Sequence, residues 1–139
     1  MGIVMPNSTV FAGTPYYVLM EGNHRIGPKV VPLQSGDECL PIYGFSDKEP
    51  YDTFCRTSQV ALKPYPLVKH YLQNQANTLS TSLKLVVIDA AGPREPCLHA
   101  ATMEAVLEAQ QKRTPEVGVT HRLKFDEEVG AYRLEVAVT

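Results

Sequence analysis

The sequence lacks most of the features that would assign a function directly. It has no tryptophan and three cysteines, and its 13 Lys and Arg nearly balance its 15 Asp and Glu, for a formal net charge of −2. Duplex-binding domains normally carry a basic surplus, so nucleic-acid binding is disfavoured, although a local patch of His24, Arg25 and Lys29 leaves it open. No stretch approaches the roughly 18 apolar residues of a transmembrane helix, so no membrane span is predicted.

Export signals and a disulfide framework are also missing. The amino-terminal segment has no basic start and no long apolar core, and it contains Pro6 and Pro15, which argues against a signal peptide. The three cysteines, Cys39, Cys55 and Cys97, are odd in number and far apart. Without an export signal such thiols are expected to be reduced, so the sequence predicts a cytoplasmic protein.

What is present is the composition of a folded domain. The chain has 139 residues, of which 44% are hydrophobic and 20% charged, close to the average for globular proteins. No linker or internal repeat divides it, so one domain is predicted over residues 1–139, with a loosely ordered start at 1–14.

The first half of the sequence predicts strands followed by helices. Apolar runs predict strands over 16–20, 29–34 and 39–45, and the short turn between the last two predicts an antiparallel hairpin. Ser46 with Glu49 three residues later matches a capping box and predicts a helix that ends near Thr57.

The second half predicts two more helices and a terminal hairpin. A helix is expected to open at Pro64 and Pro66, and a third to run from His99 to Arg113. Between them, residues 83–88 form an apolar run typical of a central strand covered on both faces.

Two alternating runs close the chain, with Gly130 in the turn between them as the expected positive-φ residue. The order β-β-β-α-α-β-α-β-β clusters its strands in hairpins. It therefore predicts an α+β fold with about three helices on a mostly antiparallel or mixed sheet.

Three residues are candidates for a binding site. Cys97 and His99 could pair as thiolate and imidazole. They are two positions apart at the start of a predicted helix, however, so their side chains are expected to point in different directions. Asp89 ends the predicted central strand, where it could serve a site or simply cap nearby backbone N–H groups, the more common role of aspartate in turns. No standard catalytic or phosphate-binding motif is present, so no catalytic residue and no cofactor are predicted.

Metal binding is not predicted, because only Cys97 and His99 have ligand-like spacing and no second pair exists. Tyrosine is the one residue type in noticeable excess. Core packing and a partner surface explain the excess equally well, since tyrosine is common in both. The seven tyrosines are Tyr16, Tyr17, Tyr43, Tyr51, Tyr65, Tyr71 and Tyr132.

Two segments resemble a known family. Residues 40–47, LPIYGFSD, are similar to the strand-to-helix junction of SseB N-terminal domains, and residues 85–89, LVVID, to a later strand of that family. Asp89-Ala90 stands where the family usually has Asn-Pro. The resemblance covers about residues 15–105. It implies a small bacterial α+β domain without a defined enzymatic activity, linked in some members to secretion-associated or interaction roles.

Two functions follow as hypotheses. The first is a non-enzymatic interaction or assembly domain with a protein partner. The chain could also pair with itself, because its last strand, 132–138, lacks the prolines and inward lysines that protect sheet edges. The second is a small-molecule-binding or enzymatic domain with a cleft near Cys97, His99 and Asp89.

Overall fold

A computed structural model describes residues 11–21, 24–33, 36–58, 63–66, 69–77, 82–93 and 95–136. Within these ranges the chain forms three helices and ten strands, and the predicted α+β class with a mixed sheet is confirmed. The helices are α1 (Lys48–Ser58), α2 (Lys69–Asn77) and α3 (Met103–Gln111). The strands are β1 (Phe11–Gly13), β2 (Tyr17–Glu21), β3 (His24–Arg25), β4 (Cys39–Phe45), β5 (Lys63–Pro66), β6 (Leu83–Ile88), β7 (Cys97–Thr102), β8 (Glu116–Gly118), β9 (His121–Asp126) and β10 (Ala131–Val136).

Most strands belong to one sheet, in the order β10-β9-β7-β6-β4-β2-β3, and β5 also pairs with β2. Strands β4 and β6 run parallel, while the other pairs in this sheet are antiparallel. Strands β1 and β8 form a separate antiparallel pair. Three of the residues predicted as a loose start, Phe11–Gly13, therefore belong to a strand, and residues 1–10 lie outside the described ranges.

The central strand is covered on both faces, as its apolar sequence predicts. Leu85 and Val87 point to one face and Val86 and Ile88 to the other, and none of the four is more than 5% exposed. The aromatic face is the one on which Leu85 and Val87 pack with Tyr43, Phe45 and the α1 residues Tyr51 and Phe54. The aliphatic face is the one on which Val86 and Ile88 pack with Ile42, Leu72 of α2 and Val106 of α3.

The predicted strand at 29–34 and its hairpin with 39–45 are wrong. Of the described residues in that stretch, only Val30 joins a β-bridge, and its partner is Tyr132 in β10. The neighbours of β4 are instead β6 and β2. Pro32 has no N–H to donate, which favours an irregular segment over a paired strand.

Residues 26–31, here called the strap, connect β4 with β10. The Tyr43 N–H donates to the Ile26 carbonyl at 2.9 Å. At the other end, the Val31 N–H donates to the Tyr132 carbonyl at 3.0 Å, and the Tyr132 N–H donates to the Lys29 carbonyl at 2.9 Å. The strap passes so close to β4 that a Cβ at Gly27 would lie 1.9 Å from the Pro41 carbonyl oxygen, so a side chain there would clash.

Helices α2 and α3 begin later than the sequence predicts. Residues 63–66, expected to open a helix, form β5 and pair with β2, and α2 begins at Lys69. The predicted helix over 99–113 is wrong in its first part, because residues 97–102 pair with β6 and β9 as a strand. Thr102 then caps α3, its side-chain oxygen accepting from the Ala105 N–H at 3.1 Å.

Helix α1 has the predicted extent but a different start. It begins at Lys48, so Asp47 rather than Ser46 occupies the N-cap position. The Ser46 hydroxyl donates to Asp89 at 2.6 Å. The terminal hairpin is confirmed, with Gly130 in the turn at φ 68. Residues 59–62, whose apolar sequence suggests one more short strand, lie outside the described residues.

Candidate functional site

Asp89 connects the end of β6 to the start of α1. Its backbone has a left-handed φ of 53, and its N–H donates to the Gly44 carbonyl at 2.9 Å. One carboxylate oxygen accepts from the Ser46 N–H at 2.8 Å and the other from the Ser46 hydroxyl at 2.6 Å. Asp89 thus bonds to a nearby backbone N–H, the structural role that the sequence favours for it.

A cavity of about 360 Å³ lies beside Asp89. It is open to one side of α1, and its lining combines two carboxylates with small and apolar groups. The lining residues are Glu49, Pro50, Thr53, Asp89, Ala90 and Ala91. Neither Cys97 nor His99 contributes to this lining, so in the described part of the chain the three candidate residues do not share this cavity.

Cys97 and His99 lie on β7, where residues two apart point to the same side. The expectation that they point in different directions is therefore wrong, because it assumed a helix start. Cys97 is half-buried and stands opposite Lys124 of β9, and His99 is exposed and stands opposite Arg122. The structure brings Cys97 and His99 together on one strand face and joins Asp89 to Ser46.

The tyrosines divide between the core and the surface. Tyr43, Tyr51 and Tyr132 are buried, and burial raises the pKa of each hydroxyl. The Tyr132 hydroxyl donates to the Glu95 carbonyl at 2.6 Å, which satisfies its polar end. Tyr16 and Tyr17 are 43% and 38% exposed and leave an aromatic surface near the start of β2.

A groove between the strap, β4 and α2 collects positive charge. Three cations, Arg25, Lys29 and Lys84, line a cavity of about 430 Å³, and we call it the basic groove. The described residues that line it include no carboxylate. The apolar part of its lining comes from Pro28, Val30, Leu40, Pro41, Ile42, Tyr71 and Met103.

Arg25 is held in the basic groove by stacking. Its guanidinium carbon lies 3.6 Å from the centre of the Tyr71 ring, a cation–π contact. Its Nε is buried and has no hydrogen-bond partner in the described part of the chain. Burial raises the pKa of the Tyr71 hydroxyl, and the adjacent Arg25 charge opposes that rise.

Lys84 enters the groove from the middle of the sheet. It stands in register with Leu40 of β4, and its ammonium donates to the Gln75 carbonyl of α2 at 3.1 Å. The sequence alone singles out Arg25 and Lys29 as part of a basic patch, but not Lys84 or Tyr71. The missed signal is that Lys84 is the single charged residue in the otherwise apolar run 83–88.

The thiols and the metal-ligating side chains give no further site. None of the three cysteines forms a disulfide, and burial raises the pKa of the Cys39 thiol to about 11, so this thiol is a poor nucleophile near neutral pH. In the described ranges no three His, Cys, Asp or Glu side chains are grouped closely enough to hold a metal ion. The helices of those ranges are too short and too polar to span a bilayer.

The outer edge of β10 is partly covered. The strap makes two backbone hydrogen bonds with Tyr132, one to its N–H and one to its carbonyl. Both of these groups of Tyr132 therefore point away from β9. Leu134 and Val136 follow at alternate positions, so their backbone groups point the same way. Over the described residues, no backbone bond from outside the hairpin reaches β10 beyond Tyr132.

Comparison of the chain with protein-family models, with curated proteins and with solved structures finds no match.

Proposed function

We propose that this protein is a non-enzymatic interaction and assembly domain that forms a homodimer through the outer edge of β10. The observation that carries the proposal is the outward-pointing backbone at Leu134 and Val136, at the end of the sheet, to which no described residue outside the hairpin bonds. Unpaired N–H and C=O groups on a sheet edge can pair with a second chain. A two-fold arrangement covers the same edge in both copies at once.

The charged side chains of β10 leave this edge accessible. Arg133 pairs with Asp126, and Glu135 pairs with Lys124, so both charges are engaged with the neighbouring strand β9. A lysine at a sheet edge is a common means of blocking strand addition, and neither of these residues is a lysine. Strand β5, which pairs with β2 near the other end of the sheet, differs because it carries Pro64 and Pro66. Proline cannot donate to an added strand.

Light scattering at micromolar concentration tests the dimer. The expected mass is twice the 15.4 kDa of one chain. Val136→Pro removes an outward-pointing donor and is expected to give a folded monomer, whereas the matched variant Val136→Thr keeps the N–H and stays dimeric. A wild-type monomer, or a dimer that persists in a folded Val136→Pro variant, would contradict the proposal. If Val136→Pro fails to fold, the wild-type mass alone decides.

The non-enzymatic part of the proposal is supported by the position of Asp89. Both of its carboxylate oxygens are engaged with Ser46, which leaves a structural role for the group. A cytoplasmic location, a further protein partner and membership of the SseB-like family stay predictions from the sequence, and nucleic-acid binding stays disfavoured by the net charge.

The alternative is an enzymatic or small-molecule site at Cys97, and one observation favours it. Cys97 and His99 share a strand face, with Lys124 and Arg122 opposite them on β9. Cysteine and histidine side chains on one face are the pairing that cysteine nucleophiles use. We expect Cys97 to react with iodoacetamide no faster than Cys55, which is also half-buried. Faster alkylation of Cys97 that is abolished by His99→Ala would favour the alternative.

A further inference from the structure

The basic groove combines three features of a small-molecule site. Its volume of about 430 Å³ falls within the range of ligand pockets, roughly 300–1,000 Å³. About half of its lining is apolar, and Leu40 is 42% exposed there although it lies on a strand of the central sheet. Its charged groups are few and of one sign, since Arg25, Lys29 and Lys84 all carry positive charge.

Among the described residues, the two partly buried cations keep unused donors. The Arg25 guanidinium lies over the Tyr71 ring, with its central carbon 3.6 Å from the ring centre, and a cation–π contact of this kind uses none of its N–H groups. Its buried Nε has no partner among the described residues, an arrangement that costs free energy. Lys84 uses one of three N–H donors on the Gln75 carbonyl.

We propose that the basic groove binds a phosphate monoester of an apolar alcohol, with the phosphate at Arg25, Lys29 and Lys84 and the apolar body on Leu40 and its neighbours. A phosphate monoester carries up to two negative charges near neutral pH, so it matches three cations better than a carboxylate with a single charge. Guanidinium groups also bind phosphate oxygens in a forked geometry that ammonium groups do not reproduce.

The size of the groove favours a small ligand over a protein surface. A specific protein interface buries roughly 800 Å² on each partner, far more than one cavity of this volume presents. The proposal does not depend on the homodimer, because the groove lies between the strap, β4 and α2 and not at the outer edge of Leu134 and Val136.

Three probes separate the contributions of charge and apolar surface. Phenyl phosphate carries both, inorganic phosphate carries the charge alone, and benzoate carries one charge with the same ring. With isotope-labelled protein, phenyl phosphate is expected to shift the backbone amide signals of Arg25, Lys29, Leu40 and Lys84. It should bind roughly tenfold more tightly than inorganic phosphate, because the ring buries apolar surface. Benzoate should bind more weakly than phenyl phosphate.

Charge-removing variants locate the site. Arg25→Gln and Lys84→Gln are each expected to weaken phenyl phosphate binding about tenfold, the effect of losing one charge-assisted hydrogen bond. Lys29 is exposed, so Lys29→Gln is expected to fold normally. It should also weaken phenyl phosphate binding, and it therefore tests the site even if Arg25→Gln does not fold. The control variant is Lys48→Gln, which should bind phenyl phosphate as the wild type does. Lys48 is exposed at the start of α1 and does not line the groove.

Three results would overturn the proposal. The first is the absence of binding at millimolar phenyl phosphate. The second is a set of signal shifts spread over all exposed lysines and arginines, and the third is an equal loss of affinity in Lys48→Gln. Inorganic phosphate and phenyl phosphate binding with the same affinity would contradict the role assigned to Leu40 and the apolar lining.

Discussion

On one face of β4 and β6 the packing is aromatic and closed, and on the other it is aliphatic and partly open. Tyr43 and Phe54 have ring centres 4.6 Å apart, and Phe45 meets Tyr51 edge to face at 5.6 Å. The aliphatic face instead packs Val86 and Ile88 against α2 and α3.

The difference separates stability from binding within one sheet. The aromatic face is covered by α1, and Ile26 and Val30 of the strap pack against it. The aliphatic face is covered by two helices that leave one end of β4 exposed, and there Leu40 and Lys84 line the basic groove. The basic groove therefore lies where the coverage of the aliphatic face ends, and Val30 of the strap borders it from the aromatic face.

The strongest test of the central strand is a buried charge. Ile88→Asp on the aliphatic face and Val87→Asp on the aromatic face are both expected to abolish soluble expression. An unpaired carboxylate in the core costs several kcal/mol, against a total stability of about 5–15 kcal/mol. The control is Val129→Asp, in the exposed turn of the terminal hairpin, which should express normally.

A soluble variant with an unchanged melting temperature would show that the altered face is not a buried one. If one of the two variants folds and the other does not, the face of the folded variant has the lower packing density. That result would change the comparison between the faces rather than the assignment of β6 as the central strand.

A smaller effect is expected at Asp89, the link between β6 and α1. Asp89→Ala removes two hydrogen bonds to Ser46 and places an alanine at φ 53, so we expect a loss of about 2 kcal/mol in the free energy of unfolding. Asp89→Asn tolerates this backbone geometry and retains an acceptor for the Ser46 N–H, so it should lose less.

Chemical denaturation of the two Asp89 variants measures the difference. Equal losses would indicate that neither the left-handed backbone nor the bond to the Ser46 N–H stabilises the end of β6. Increased activity towards any substrate is not expected from either change, since the proposal gives Asp89 a structural role.

The elements that the sequence predicts well are those whose pattern is local. The run 83–88 is apolar at every position but Lys84, and it is the buried centre of the sheet. The alternation on either side of Gly130 likewise predicts the terminal hairpin, because two strands joined by a short turn need no distant partner to define them.

The elements that it misses depend on distant partners. Residues 97–102, CLHAAT, contain two alanines and little that favours a strand, and their extended form is stabilised by pairing with β6 and β9. The 29–34 run has a strand-like composition, yet Val30 contacts β10 instead of forming a hairpin with β4. Tertiary pairing overrides local preference in both cases.

The candidate site is predicted less well than the fold. Arg25 and Lys29 are close in sequence and visible as a basic patch, but the stacking of Arg25 on Tyr71 joins two distant parts of the chain. Cys97 and His99 are visible as a pair, and only the strand at 97–102 shows that they share a face. Side-chain proximity across the sheet is the information that a single sequence does not carry.

The smallest expected effect is a pH dependence at the rim of the aromatic face. His121 lies on β9 two residues before the core residue Leu123, and its Nδ1 is 2.8 Å from the Thr120 hydroxyl. Burial lowers the pKa of His121 because it disfavours the charged imidazolium. Its contribution to stability is therefore present above the ordinary histidine pKa of about 6.5, and it is lost as the pH falls through the lower folded-state pKa.

We expect the free energy of unfolding to decrease between about pH 6.5 and pH 5 by less than about 1 kcal/mol on account of His121, since the group is only half-buried. His121→Gln should remove that part of the slope, because glutamine does not titrate. A slope that persists unchanged in His121→Gln would assign the titration to other groups, and the rim of the aromatic face would then be insensitive to pH.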